Sequence, residues 1–173
     1  CTKQKDSMWE KLFSKIGTYV SNMHPYSIYS LGMMLENLEN YKALSHNMLA
    51  NTEQLKRELL SHQLIVYEQQ AISVNEAITH HIWIRCSDKT DAFELYKHWE
   101  QYGFLTNYRL LPYHLGYGIR IGLSAATVSG LLPTDIPELA NLLAQAYHST
   151  EYSEKLKRLS EKFIIKIKER NHA

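Results

Sequence analysis

A chain of 173 residues with 45% apolar and 21% charged residues is large enough to bury a core without metals or disulfides. Its formal charge of +1 provides no basic field for nucleic acid or an anionic membrane surface, and no window approaches the ~18 to 20 consecutive apolar residues of a membrane span. We therefore expect a soluble, cytoplasmic protein with neither nucleic acid nor membrane as partner.

Met8, Trp9, Leu12, Phe13 and Ile16 recur at helical spacing and predict a short first helix that stops at Gly17. A loop with Ser21, Asn22, His24 and Pro25 then leads into the longest periodic segment. From residue 26 to residue 60 there is no proline, and Ile28, Leu31, Leu35, Leu38, Met48, Leu55 and Leu59 fall mostly on one stripe. One long helix is expected, bent near Ser45. Residues 64–67 form a brief β-prone run, and residues 79–86 a clearer strand.

Residues 90–102 carry Ala92, Phe93, Tyr96 and Trp99 at helical spacing, with Thr90 as N-cap and Gly103 as stop. Strands follow at 104–109 and 118–123. Asp135-Ile136-Pro137-Glu138 has the form of a capping box ahead of Leu139, Leu142, Leu143 and Ala146. A final amphipathic helix uses Tyr152, Leu156, Leu159, Phe163 and Ile167 as its stripe. The fold class is α+β: a long N-terminal helix, then a small three- to four-stranded sheet covered by helices. The domain organisation expected is a leading segment at 1–25, a connecting helix at 26–60 and a C-terminal small domain at 61–173.

The stretch Gly118-Ile119-Arg120-Ile121-Gly122-Leu123 carries the strongest functional signal. In a strand, Ile119, Ile121 and Leu123 share one face, while Gly118, Arg120 and Gly122 share the other. Glycines on either side of Arg120 leave room for a small anion to reach its planar fork of donors, which suits a carboxylate. A dinucleotide-binding loop is a poor alternative, because its glycines would have to lie between a strand and a helix start. An arginine simply solvated on an amphipathic strand remains the plain alternative.

His80 and His81 enter a strand, where alternation puts one on each side. Asn107, Tyr108 and Arg109 sit together at a strand end, a place where such residues touch ligands or close turns. The nine histidines include no H-x-x-x-H or H-E-x-x-H spacing, so no metal site is expected. Cys1 and Cys86 belong to no C-x-x-C pair and read as free thiols. No G-x-S-x-G elbow is present for serine hydrolysis. A chain that begins Cys1-Thr2-Lys3 reads as the continuation of a longer one.

Taken together, residues 51–60, Thr79-His80-His81-Ile82, Gly103-Phe104-Leu105-Thr106-Asn107 with Leu111-Pro112, and Gly118-Ile119-Arg120-Ile121-Gly122 followed by Ala126-Thr127 and Gly130 form a series of motifs. The series resembles the C-terminal part of serine hydroxymethyltransferase and its relatives, pyridoxal-phosphate enzymes of the type I aminotransferase fold. Leu156, Leu159 and Phe163 resemble that family's terminal helix. The resemblance extends over nearly the whole chain and is densest between residues 79 and 147.

It implies that Arg120 binds the carboxylate of an amino acid substrate and that the complete enzyme is a homodimeric transferase using pyridoxal phosphate. The family's glycine-rich phosphate loop is replaced here by residues 19–25, so that Asn22 and His24 are the cofactor-binding candidates. The cofactor lysine is expected upstream of this chain, which by itself would hold no catalytic residue and no bound cofactor. Arg109 stands where the family has an asparagine associated with folate, and Ser129 where it has an arginine. A related amino acid reaction without folate is therefore in keeping with the departures. The alternative from another class is a non-catalytic α+β interaction module that kept the fold and lost the chemistry.

Overall fold

The computed structural model describes residues 10–11, 25–67 and 79–170. Most of the expected first helix lies outside these residues, and so do Asn22 and His24. The chain divides into two compact units, residues 1–41 and 42–173.

In the shorter unit, helix α1 (Pro25–Glu36) ends at Asn37, where helix α2 (Leu38–Ser61) begins. The single helix expected over 26–60 is thus two, broken at Asn37 rather than bent near Ser45. The Asn37 N–H donates to Met34 O at 3.1 Å, and its side-chain amide donates to Met33 O at 3.1 Å. An asparagine that bonds back to the preceding turn competes with the regular ladder and interrupts it.

In the larger unit, the rest of α2 buries Leu55 and Leu59 completely, each burial contributing about 2 kcal/mol. Asn51 is also fully buried in this helix, and its amide donates to Thr127 Oγ1 at 3.3 Å and to Leu131 O at 3.1 Å. A polar residue on the buried face therefore fixes α2 to a segment far along the chain.

Three strands follow: β1 (His81–Arg85), β2 (Asn107–Leu110) and β3 (Tyr117–Gly122), in the order β1-β3-β2 and antiparallel throughout. The expected strand at 64–67 is reduced to one bridge between Val66 and Ile84. It still covers the outer edge of β1, since Tyr67 N donates to Trp83 O at 2.7 Å and Arg85 N to Ile65 O at 2.9 Å.

Helix α3 (Lys89–Gln101) starts one residue before the expected Thr90 cap. Its cap is Asp88, whose carboxylate accepts from Asp91 N at 2.9 Å, while Asp91 accepts in turn from Ser87 N at 2.8 Å. Beyond α3, Gly103 takes φ +86°, and the amides of Gly103 and Phe104 donate to Glu100 O and Trp99 O. Those bonds close the helix and occupy residues that the sequence pattern assigned to the next strand, which is why β2 starts at Asn107 and not at 104.

After β3 come a short helix α4 (Ser124–Val128), a 3-10 turn at Pro133–Asp135, helix α5 (Ile136–His148) and helix α6 (Glu154–Arg170). Asp135 makes no capping bond to α5. Its carboxylate instead accepts from Leu132 N at 3.0 Å and pairs with Lys166 and Arg170 of α6. The D-x-x-E pattern thus marks the right helix start through a different bond. On α6, Leu156, Phe163 and Ile167 are buried, whereas Leu159 and, before the helix, Tyr152 are exposed. The inner face of α6 includes Ser160, fully buried, whose hydroxyl donates to Tyr102 O at 2.8 Å.

Ile82, Ile84, Ile119 and Ile121 turn into one core with Trp99, Leu139, Leu143 and Phe163. The helices therefore cover one face of the sheet, and the α+β architecture is that expected. The opposite face carries the polar residues considered next. Among the described residues, no helix is long and apolar enough to cross a membrane.

Candidate functional site

The site follows from period-2 alternation applied to three paired strands. Directly paired residues of antiparallel strands project to the same side of the sheet. Trp83 of β1 pairs with Arg120, and Asn107 of β2 pairs with it from the other side. His81 faces Gly122, and Arg109 faces Gly118. The face opposite the core thus gathers His81, Trp83 and Arg85, then Arg120, then Asn107 and Arg109. Arg120 occupies its centre, on the middle strand.

A cleft of about 330 Å³ lies on this face, lined by His81, Trp83, Arg109, Leu110, Leu111, Pro112 and Arg120. Neither Arg120 nor Arg109 has an ion pair or a side-chain hydrogen bond among the described residues. Two guanidinium groups therefore meet one cleft with their donors uncommitted. His81 feels both: burial lowers its pKa first, His80 lowers it further, and the charges of Arg120 and Arg109 add to the effect. All of these favour the neutral imidazole, which has one N–H to donate and one lone pair to accept.

Trp83 is a wall of the cleft in its own right. Its ring stacks on Tyr67 with centroids 5.7 Å apart and meets Tyr113 at 6.1 Å. Tyr113 is placed there by the turn between β2 and β3, where Tyr113 and His114 both adopt left-handed backbone (φ +57° and +58°) and Gly116 follows at +79°. Leu111 N donates to Gly116 O at 2.8 Å and closes that turn. Two non-glycine residues in this conformation represent stored strain, of the kind that concentrates beside binding sites.

The structure brings Arg120 and His81 together and leaves His80 at the entrance of β1. The two imidazoles do not separate to opposite faces: their centroids are 3.8 Å apart. Alternation does not bind His80, because the strand begins one residue after it. At Gly122 a Cβ would meet the His81 ring in ordinary contact, at 3.4 Å, so this glycine sets how closely the imidazole approaches the strand beside Arg120. At Gly118, Leu111 and the Ile84 carbonyl fill the position a side chain would take.

Sequence reasoning gave Arg109 no distinct place and missed Trp83. The signal was nonetheless present: alternation in Asn107-Tyr108-Arg109 puts Asn107 and Arg109 on one side, and hairpin pairing with β3 makes that the side of Arg120. Cys86, at the end of β1, is a free thiol whose pKa is pushed up to about 11, by burial first and by Asp91 next. It is neither a ready nucleophile nor part of the cleft. Among the described residues, no group of three His, Cys, Asp or Glu side chains is placed to hold a metal ion.

No family model matches this sequence, and no curated protein does. A solved structure, the L-threonine transaldolase from Pseudomonas fluorescens in its internal aldimine state, is similar with a TM-score of 0.62 and 22% identity. The likeness covers 71% of this chain and 28% of that one. At this identity what is shared is the fold, and the chain spans little more than a quarter of the length of its structural neighbour.

Proposed function

We propose that this chain is the C-terminal portion of a pyridoxal-phosphate-dependent enzyme acting on amino acids, similar to serine hydroxymethyltransferase, in which Arg120 binds the substrate carboxylate. The observation that carries this reading is the position of Arg120: central on the sheet face opposite the helices, without a partner carboxylate among the described residues, at a cleft shared with His81. A planar guanidinium with free donors matches a carboxylate in two parallel hydrogen bonds. The fold likeness to a transaldolase supports the choice of enzyme class.

The cleft suits the substrate better than the cofactor. Among its described lining residues there is no lysine, and the side chains present are arginine, histidine, tryptophan and aliphatic groups. Pyridoxal phosphate, when bound in the complete enzyme, would supply the stabilisation of negative charge on the substrate carbon. What the residues described here do is bind and orient: Arg120 holds the carboxylate, Trp83 and Tyr113 limit the substrate's lateral freedom, and His81 offers a neutral donor or acceptor beside it. Asn22 and His24 are the cofactor-phosphate candidates in this reading, and the complete enzyme is a homodimer.

The test uses the full gene product carrying its pyridoxal phosphate. Amino acid binding is followed by the change in the cofactor's visible absorbance for the parent protein, Arg120→Lys and Arg120→Ala. The expected result is a roughly 100-fold weaker apparent affinity in Arg120→Ala, with partial recovery in Arg120→Lys and unchanged cofactor content. Undiminished amino acid binding in Arg120→Ala, or a full gene product that takes up no pyridoxal phosphate, would overturn the reading in favour of a non-catalytic α+β module.

A further inference from the structure

The cleft holds more positive charge than one carboxylate requires. Arg109 pairs with Gly118 and Arg120 lies two residues further along β3, so the two arginines are diagonal neighbours on the same sheet face. Such neighbours lie roughly 7–8 Å apart along the backbone, within reach of long side chains. Both line the same cleft as His81. Like charges this close repel. Structural arginines are ordinarily relieved by a carboxylate, yet the described residues supply none to either.

A single carboxylate on Arg120 would leave Arg109 unanswered. We propose that the substrate is an amino acid carrying a second anionic group on its side chain, a carboxylate or a phosphate, and that Arg109 is the residue that selects it. This inference rests on the reading of Arg120 as the ligand of the α-carboxylate. The geometry then divides the work: Arg120 at the sheet centre takes the end common to all amino acids, and Arg109 on the edge strand takes the distinguishing end. His81, on the same cleft, can donate one hydrogen bond to an anion between them. The excess positive charge belongs to the cleft, since the chain as a whole carries only +1.

The experiment is titration calorimetry on the full gene product with L-aspartate, L-glutamate and L-phosphoserine, each set against its neutral counterpart, L-asparagine, L-glutamine or L-serine. The proteins are the parent, Arg109→Gln, Arg109→Lys and Arg120→Gln, each checked for folding by thermal melting. The expected result is that at least one acidic ligand binds roughly 30-fold more tightly than its neutral counterpart. That ratio falls to near one in Arg109→Gln and is partly kept in Arg109→Lys. Preference for aspartate or glutamate identifies the second group as a carboxylate, and preference for phosphoserine identifies it as a phosphate.

Equal binding of acidic and neutral amino acids, with no change in the ratio in Arg109→Gln, overturns this proposal and leaves the role of Arg120 standing. If no amino acid binds the parent protein, or if Arg120→Gln binds all of them as the parent does, the underlying reading fails and this one fails with it.

Discussion

Gly118 lies so close to Ile84 across the β1–β3 pairing that a Cβ on it would come within 2.2 Å of the Ile84 carbonyl oxygen and 2.7 Å of a Leu111 methyl. Backbone cannot move aside as a flexible side chain can. Gly118→Ala should therefore cost about 3 kcal/mol, as overpacking against a fixed wall does. Gly122→Ala, with its nearest contact at 3.4 Å on the His81 ring, should cost less than about 1 kcal/mol. Urea denaturation of both variants checks the ranking, and equal costs would contradict it.

Arg170 grips the Asp135 carboxylate from α6, its Nη2 donating to Oδ1 at 3.0 Å and its Nη1 to Oδ2, while Lys166 approaches Oδ1 at 3.1 Å. Burial pushes this carboxyl up, but the donors from Arg170, Leu132 N and Lys166 outweigh burial and hold it at about 2, below its ordinary 3.8. A carboxyl depressed in the folded state stabilises the fold above its unfolded pKa and loses that contribution as pH falls through the folded one. About 2 kcal/mol should thus be present above roughly pH 5 and disappear between pH 4 and pH 2. Arg170→Ala should be less stable by about 2 kcal/mol at pH 7, with the gap narrowing below pH 3. Denaturation curves at pH 7, 4 and 2.5 measure it.

Asn51 is a buried polar group whose amide nitrogen is satisfied by Thr127 and Leu131 while its Oδ1 has no partner. Replacing it by alanine removes two donated bonds and leaves the Leu131 carbonyl short of one. Asn51→Ala should destabilise the protein by about 2 kcal/mol. Asn51→Leu removes the same polar atoms, the orphaned oxygen included, but keeps the side-chain volume that alanine would leave as a cavity, so a smaller loss than for alanine is expected in equilibrium unfolding.

The imidazole of His81 should titrate below 6.5, since burial, His80, Arg120 and Arg109 all disfavour its charged form. A histidine depressed in the folded state leaves stability unaffected above its unfolded pKa and withdraws it as pH falls below 6.5. Ring-proton NMR should show the midpoint rising when either arginine is replaced by glutamine. A midpoint at or above 6.5 in the parent protein would contradict the proximity of the two guanidinium groups.

At a pKa of about 11, Cys86 carries almost no thiolate at pH 8. Its alkylation should be on the order of 100-fold slower than that of an unstructured cysteine peptide, as read by mass spectrometry of the peptide containing it. Unfolding in urea should abolish the difference.

Much of this was legible in residue order alone. The alternation of Ile119, Ile121 and Leu123 with Gly118, Arg120 and Gly122 correctly separated the core face from the site face, because a strand offers a side chain only two directions. Helices α3, α5 and α6 were legible for a similar reason, each having one apolar stripe. What escaped were features set by partners far along the chain. The role of Gly118 depends on Ile84 of another strand, and the engagement of Asp135 depends on Lys166 and Arg170. The break at Asn37 turns on a choice between helical and local hydrogen bonds that apolar periodicity does not register. The place of Arg109 needed pairing with β3 as well as its own pattern.

The order β1-β3-β2 has a consequence for synthesis. Neither β1 nor β2 pairs with the other, so in a chain emerging from the ribosome the three-stranded sheet cannot form until β3, the last of the three to be made, inserts between them. Until then β2 and the inner edge of β1 await the same partner, open to pairing with other chains. The strand that carries Arg120 is therefore also the one that ends this exposure, and a nascent chain stalled before residue 117 should be the most aggregation-prone form of this protein.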